Sequence, residues 1–237
     1  MGNWTTAQLV SRTEESDTAR TLHLQVPNWP GHLSGQHIDV RLTADDGYQA
    51  VRSYSLSAPV DGDRISISVQ PAPYGEVSPY LAEEFPEGAE IEIRGPLGGW
   101  FVWRPDRVEP VLLVAGGSGV APLAAMLRTR VAQSAGPPFR LVYSLRSPQE
   151  RWFGDALDAL TDQAGVGVDY IYTRQAPEGA TRPVGRIAEG DLRLNDFDPA
   201  VGPLCFICGP TAFVERCANI LVALGHRPDQ VRTERFG

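Results

Sequence analysis

Three short stretches carry residue types suited to holding charged ligands. RSYSLSAP, residues 52–59, alternates Arg52 and Tyr54 with Ser53 and Ser55. A guanidinium presents a bidentate fork to phosphate oxygens, and hydroxyls donate and accept around it. The same stretch also reads as an amphipathic edge strand with its tyrosine in the core, which accounts for Tyr54 but not for the Arg and Ser array beside it. VLLVAGGSGVAPL, residues 111–123, ends an apolar run at Ala115 and continues through Gly116, Gly117, Ser118 and Gly119, with Pro122 as the expected first residue of a helix. Glycines let the chain turn tightly, and the free N–H groups of a helix start attract phosphate. Taken alone, the turn is also readable as a compact connection. LCFICGP, residues 204–210, repeats the layout with Gly209 and Pro210. Its Cys205 and Cys208 form a CxxC, but with Cys217 as the third cysteine and no nearby His, a zinc or iron–sulfur site lacks its fourth ligand. No metal is expected.

The elements that must position these stretches differ between the two halves. TLHLQV, HIDVRL and RISISV place Leu22, Leu24 and Val26, then Ile38, Val40 and Leu42, then Ile65, Ile67 and Val69, each set on one face, with turn signals DDG and DGD nearby. Period two over short runs predicts an antiparallel sheet buried on one side, closed as a small barrel or sandwich. In the second half VLLVAGG, FRLVYSL, VDYIYTR and LCFICGP are nearly continuous apolar runs, as strands covered on both faces require. Helical patterns over 122–131, 153–163 and 212–224 lie between or after them, so a doubly wound parallel α/β sheet is expected. The polar, proline-bearing WRPDRVEP marks the division into residues 1–105 and 106–237.

Composition narrows the function classes. All 21 basic residues are Arg, and the net charge of −8 argues against nucleic acid as a partner. The charge is uneven: residues 1–105 hold 7 Arg against 14 acidic residues, and residues 106–237 hold 14 against 15. The second half therefore has arginines to spare for an anionic ligand. No apolar run has the length of a membrane span, and MGNWTTAQLV lacks the charged and apolar regions of a secretory leader. A cytoplasmic protein with reduced cysteines and no membrane association is expected.

RSYSLSAP, GEVSPYL, GPLGGWF, GGSGVAPL, ICGPTAF and the terminal ERFG occur in the order found in the ferredoxin-NADP reductase family, which the chain resembles over essentially its whole length. The resemblance implies a Greek-key antiparallel β-barrel that binds flavin, followed by an α/β parallel sheet that binds NAD(P). It implies that Arg52 faces the flavin phosphates, that Tyr54 packs on the isoalloxazine, and that Ser53 and Ser55 complete the strand, Ser55 near flavin N5. Gly75, Val77 and Ser78 of GEVSPYL resemble the family's pyrophosphate site, although Ser78-Pro79 is also an ordinary helix cap. Trp100, Phe101 and Trp103 are assignable to the adenine side or to simple core.

For the second cofactor, NADPH or NADH, the resemblance implies binding over Gly116, Gly117, Ser118 and Gly119, with Cys208, Gly209 and Pro210 beside the nicotinamide. Phe213 stands where the family usually has methionine. Thr173, Arg174 and Arg186 match the residue types that grip a 2′-phosphate in NADPH-using members, although arginines in a loop are commonly only solvated. Phe236 is implied to cover the flavin, with Glu234 near its edge. The function so implied is hydride transfer from NAD(P)H to FAD, then single-electron transfer to a separate ferredoxin or oxygenase component, the cysteines being too few for a plant-type [2Fe-2S] domain. A flavin or quinone reductase with a diffusible acceptor, and a non-catalytic flavin- or nucleotide-binding subunit, remain the alternatives.

Overall fold

The structure, a computed structural model, describes residues 3–133, 135–161, 163 and 165–236. Gly237, which ends the ERFG motif, and Asp162, within the expected 153–163 helix, lie outside them. Six antiparallel strands form the first unit: β1 Thr5–Ser16, β2 Ala19–Gln25, β3 His37–Thr43, β4 Gln49–Ser55, β5 Arg64–Val69 and β6 Glu90–Leu97. Their order is β4-β3-β6-β1-β2-β5, a Greek-key arrangement in which β6 returns between β3 and β1. A bridge between Leu56 and Ile67, with Ser57 N–H donating to Ser66 O at 2.9 Å, brings the two edges together and closes the barrel. Alternation fills it: Leu22, Leu24, Ile38, Val40, Ile65 and Ile67 are almost wholly buried. A helical turn α1, Val77–Pro79, continues through Tyr80–Glu84 and buries Val77 and Leu81 in the same core.

The second unit is a five-stranded parallel sheet of β7 Val111–Gly116, β8 Phe139–Leu145, β9 Val166–Tyr172, β10 Leu204–Pro210 and β11 Val231–Phe236, in the order β11-β10-β7-β8-β9. Both faces are covered, which is why its strands read as continuous apolar runs. Leu113 and Ala115 pack with α2, Val120–Val131, and α3, Gly154–Leu160, whereas Leu112 and Val114 pack with α4, Glu189–Leu192, and α5, Thr211–Ala223. The helix expected to begin at Pro122 begins at Val120. Pro122 sits in its first turn, where the missing N–H has no intrahelical partner to lose. The helix expected from Phe153 starts one residue later, and Phe153 caps it.

Phe101 and Trp103, following β6, are built into the core of the parallel unit, edge-on to Phe206 at 5.4 Å and Phe139 at 5.0 Å. Ser34 of the barrel lies 2.7 Å from the Thr129 hydroxyl of α2, and Trp103 N–H donates to Ser34 O. The two units are thus joined by apolar packing and by polar contacts. Among the described residues no helix is long and apolar enough to cross a membrane.

Candidate functional site

Strand β4 presents Arg52 on the barrel surface. Its guanidinium donates to Val51 O at 2.8 Å and forms no ion pair among the described residues. Two residues on, Tyr54 is half-buried against the barrel core; burial pushes its phenol up to about 12, opposed by the Arg52 charge and a hydrogen bond with Ser78. The Ser78 hydroxyl also accepts from Ala72 N–H at 3.0 Å. The α1 turn therefore sits directly against β4, with Arg52, Tyr54 and Ser78 in one neighbourhood. Gly75 permits this: a Cβ there would lie 3.1 Å from Ala72 O and 3.2 Å from Ser78 Oγ. Val77 contributes backbone only, since its side chain is core, and Glu76 rather than Ser78 caps the turn. The Ser53 hydroxyl turns the other way and donates to Asp39, which is itself paired with Arg94.

The sheet order reverses between β7 and β10, and both strands end there in glycine turns. Such a switch point is where ligands bind in open α/β folds. Gly117, at φ 54, opens a short turn through Gly119 into α2, and a Cβ on it would meet nothing within 4 Å. Gly119 packs so closely on the Cys208 carbonyl that any side chain there would overlap it. Phe213 lays its ring across both turns: a Cβ on Gly116 would lie 2.6 Å from its Cδ1, and one on Gly209 2.8 Å. Beside these turns is a cavity of about 250 Å³ lined by Gly116, Gly117, Ser118, Thr173, Pro210 and Phe236 from the residues singled out in the sequence.

At the edge of this crevice three side chains from two units converge. The register of β10 and β11 sets Cys208 beside Glu234 and Pro210 beside Phe236. The Ser55 hydroxyl, from the barrel, donates to Glu234 Oε1 at 2.8 Å, and the Cys208 thiol donates to the same oxygen at 3.9 Å. Burial raises the Glu234 carboxyl above its ordinary range, opposed by Ser55, the nearby His37 and Cys208. Burial, together with the Glu234 charge, pushes the Cys208 thiol well up, so it stays protonated. Cys205 lies on the opposite face of β10, because a spacing of three on a strand reverses the side chain. The two thiols therefore cannot share a metal ion.

Two family descriptions match the chain in series: an oxidoreductase FAD-binding domain over residues 6–102 and an oxidoreductase NAD-binding domain over residues 113–219. The chain belongs to the ferredoxin reductase family. The chain is 30% identical to the ferredoxin–NAD(P)+ reductase component of the naphthalene 1,2-dioxygenase/salicylate 5-hydroxylase systems of a Ralstonia species, over 94% of its own length and 66% of the relative's. It is 31% identical to a flavohemoprotein of a Burkholderia species, strain TH2, over 100% of its own length and 61% of the relative's. It therefore spans about two thirds or less of these relatives. The FAD/NAD-binding domain of a nitric oxide dioxygenase from Vibrio cholerae superposes with a TM-score of 0.85 at 25% identity, covering 98% of both chains. The chain thus carries an FAD-binding and an NAD-binding oxidoreductase domain, and its cofactors are FAD and a nicotinamide dinucleotide.

The residues present fit both groups. The chain offers an arginine with no anionic partner among the described residues beside a helical turn on the barrel, and glycine turns opening on a cavity in the parallel unit. Arg174 and Arg186 are exposed, outside the lining of that cavity; Arg174 N–H donates to Arg146 O, and Arg186 O accepts from Arg182. Three residues that sequence reasoning passed over stand closer to the site. Arg146 and Trp152 line the cavity, and His37, the β3 partner of Ser55, lies near Glu234. The signal for Arg146 was its place just after β8, equivalent to Thr173 after β9; Trp152 and His37 carried none. Of the aromatics after GPLG, Phe101 and Trp103 are core, and Trp100 is exposed beneath the Arg232 guanidinium at 5.4 Å.

Proposed function

We propose that the reductase takes hydride from NAD(P)H onto FAD and passes electrons singly to a separate ferredoxin or oxygenase component, residues 1–105 holding the flavin and 106–237 the nucleotide. The observation that carries this reading is the convergence of Ser55 from the barrel with Cys208 and Glu234 from the parallel sheet at one hydrogen-bonded point. That point lies where β4, the flavin strand, meets the end of β10, one of the two glycine turns.

The flavin, when bound, supplies the ability to accept two electrons as hydride and to release them one at a time. The chain supplies binding and orientation. Arg52 and the backbone of Gly75, Val77 and Ser78 would hold the flavin phosphates, and Tyr54, fixed by Ser78, would offer its ring to the isoalloxazine. Gly116, Gly117, Ser118 and Gly119 would admit the dinucleotide phosphates at the start of α2, beside Gly209 and Pro210. Cys208 offers a small, uncharged wall, because burial keeps its thiol protonated. Glu234, held by Ser55, is poised to take or give a proton at the edge of the flavin site. Phe236, exposed at the lining of the cavity, would cover the flavin and yield to the nicotinamide. Thr173, Arg174 and Arg186 are the groups available to a 2′-phosphate.

The choice of a protein acceptor rests on the likeness to dioxygenase reductase components. Anaerobic titration of the yellow protein with NADPH and NADH, with mass spectrometry of the released pigment, tests donor, flavin and competence together. Reoxidation by a ferredoxin or Rieske oxygenase component faster than by free flavin or quinone supports the proposal. The reverse order would favour a diffusible acceptor, and a yellow protein that neither nucleotide bleaches would end it.

A further inference from the structure

Glu15 lies in the barrel, near the end of β1. The pairing of β1 with β2 changes register between Glu14 and Ser16, which leaves Glu15 with no residue paired opposite it in the ladder. A bulge of this kind re-aims a side chain out of the regular alternation. The Glu15 carboxylate is then held at both oxygens. Oε1 accepts from the Thr21 hydroxyl at 2.6 Å, and Oε2 accepts from the backbone N–H of Phe153, in the other unit, at 2.9 Å.

Phe153 stands at φ 57 and ψ 23, a left-handed conformation that bulky residues seldom adopt. Such a conformation persists only where its surroundings over-determine it. Here the ring is buried, lies under the Arg128 guanidinium at 4.6 Å, and meets Trp152 edge-on at 6.4 Å. Arg128 in turn donates to Ser57 O at 3.0 Å, a further tie across the two units beside that of Glu15. The segment from Arg146 to Phe153 therefore has two sides. Arg146, Glu150 and Trp152 line the cavity beside the glycine turns, while Gln149, Arg151 and Phe153 line a separate cleft of about 520 Å³ that also contains Glu15.

We propose that Glu15 is a positioning residue for nicotinamide nucleotide binding: from the barrel it latches the Phe153 amide and so fixes Trp152 and Glu150 against the nucleotide cavity. This rests on the reading that the cavity beside Gly116–Ser118 receives the nucleotide. The loop needs such a latch because its turn at Phe153 is unfavourable for the residue that makes it. Glu15 does not reach the cavity itself, so its effect passes through the backbone of the loop.

The test uses the flavin-loaded protein and whichever of NADPH and NADH the wild type prefers. Glu15→Ala is expected to weaken equilibrium binding of the corresponding oxidised nucleotide and raise KM about five- to tenfold, on the scale of one partly transmitted hydrogen bond to a charged group. The kcat should change by less than about twofold, and amide exchange at 152–154 should accelerate while flavin content stays unchanged. Glu15→Gln keeps a carbonyl oxygen for the Phe153 amide and should behave as wild type in all of these. Glu15→Asp, a milder change that withdraws the oxygen, should shift binding and exchange in the direction of Ala and serves if Ala does not fold. Wild-type binding and exchange in folded Glu15→Ala or Glu15→Asp would overturn the latch, as would equal losses in Ala and Gln. A wild-type protein that binds neither nucleotide would instead overturn the cavity assignment beneath it, and the latch with it.

Discussion

The Ser55 hydroxyl and the Glu234 carboxylate, 179 residues apart in the chain, are hydrogen-bonded at 2.8 Å across the two units. Glu234 receives the Cys208 thiol on the same oxygen, so this one carboxylate ties the end of β4 to β10 and β11. Ser55→Ala should slow the first flavin reduction by NAD(P)H by roughly ten- to a hundredfold with flavin content unchanged, because the hydroxyl that holds Glu234 at the proposed flavin edge is lost. Stopped-flow absorbance checks this; a rate equal to wild type would remove Ser55 from the reacting neighbourhood.

Glu234 should also leave its mark on stability. Its folded carboxyl titrates above the ordinary value of 4.5, mainly through burial. Between the ordinary value and the folded one, the folded state holds more protons than the unfolded state, so rising pH lowers stability across that window. Glu234→Gln removes the titration. The variant should match or trail wild type near pH 4 and gain on it as pH rises, with the gain levelling off above the folded value. Denaturant midpoints measured across pH would show the crossing, and a difference independent of pH would contradict it.

Arg52 forms no ion pair among the described residues, so Arg52→Ala should fold normally and release flavin. A charge-assisted contact to phosphate is worth about 1.5–3 kcal/mol, which corresponds to roughly ten- to a hundredfold in affinity. The ratio of flavin to protein absorbance after dialysis measures it. Full flavin content in the variant would remove Arg52 from the phosphate contact.

Gly116 and Phe213 should behave as a pair. A methyl at Gly116 would press on the Phe213 ring at 2.6 Å, and overpacking of this kind costs about 1–3 kcal/mol. Gly116→Ala should therefore lower Tm and weaken nucleotide binding, and adding Phe213→Ala should recover part of both. A double variant no better than the single one would mean that the ring is not what excludes the methyl.

Much of the architecture could be read along the chain. The period-two runs TLHLQV, HIDVRL and RISISV became β2, β3 and β5, and the continuous runs became the five-stranded parallel sheet less its edge strand β11. Gly116–Gly119 and Gly209–Pro210 fell at the switch point, as the strand-turn-helix spelling required. Less legible were Arg146 and Trp152 at the cavity, and the interior placement of Phe101 and Trp103. Aromatic and arginine residues in connecting segments have no period to betray which side they face.

Local sequence determined the two kinds of sheet and the position of each glycine turn, because strand alternation and backbone freedom are properties of neighbouring residues. Only the tertiary structure decided that Ser55 meets Glu234, that Glu15 meets Phe153, and that Cys205 and Cys208 part to opposite faces of β10. Those pairings depend on where closed barrel and parallel sheet come to rest against one another, and that is set by the packing of whole surfaces rather than by any short run of residues.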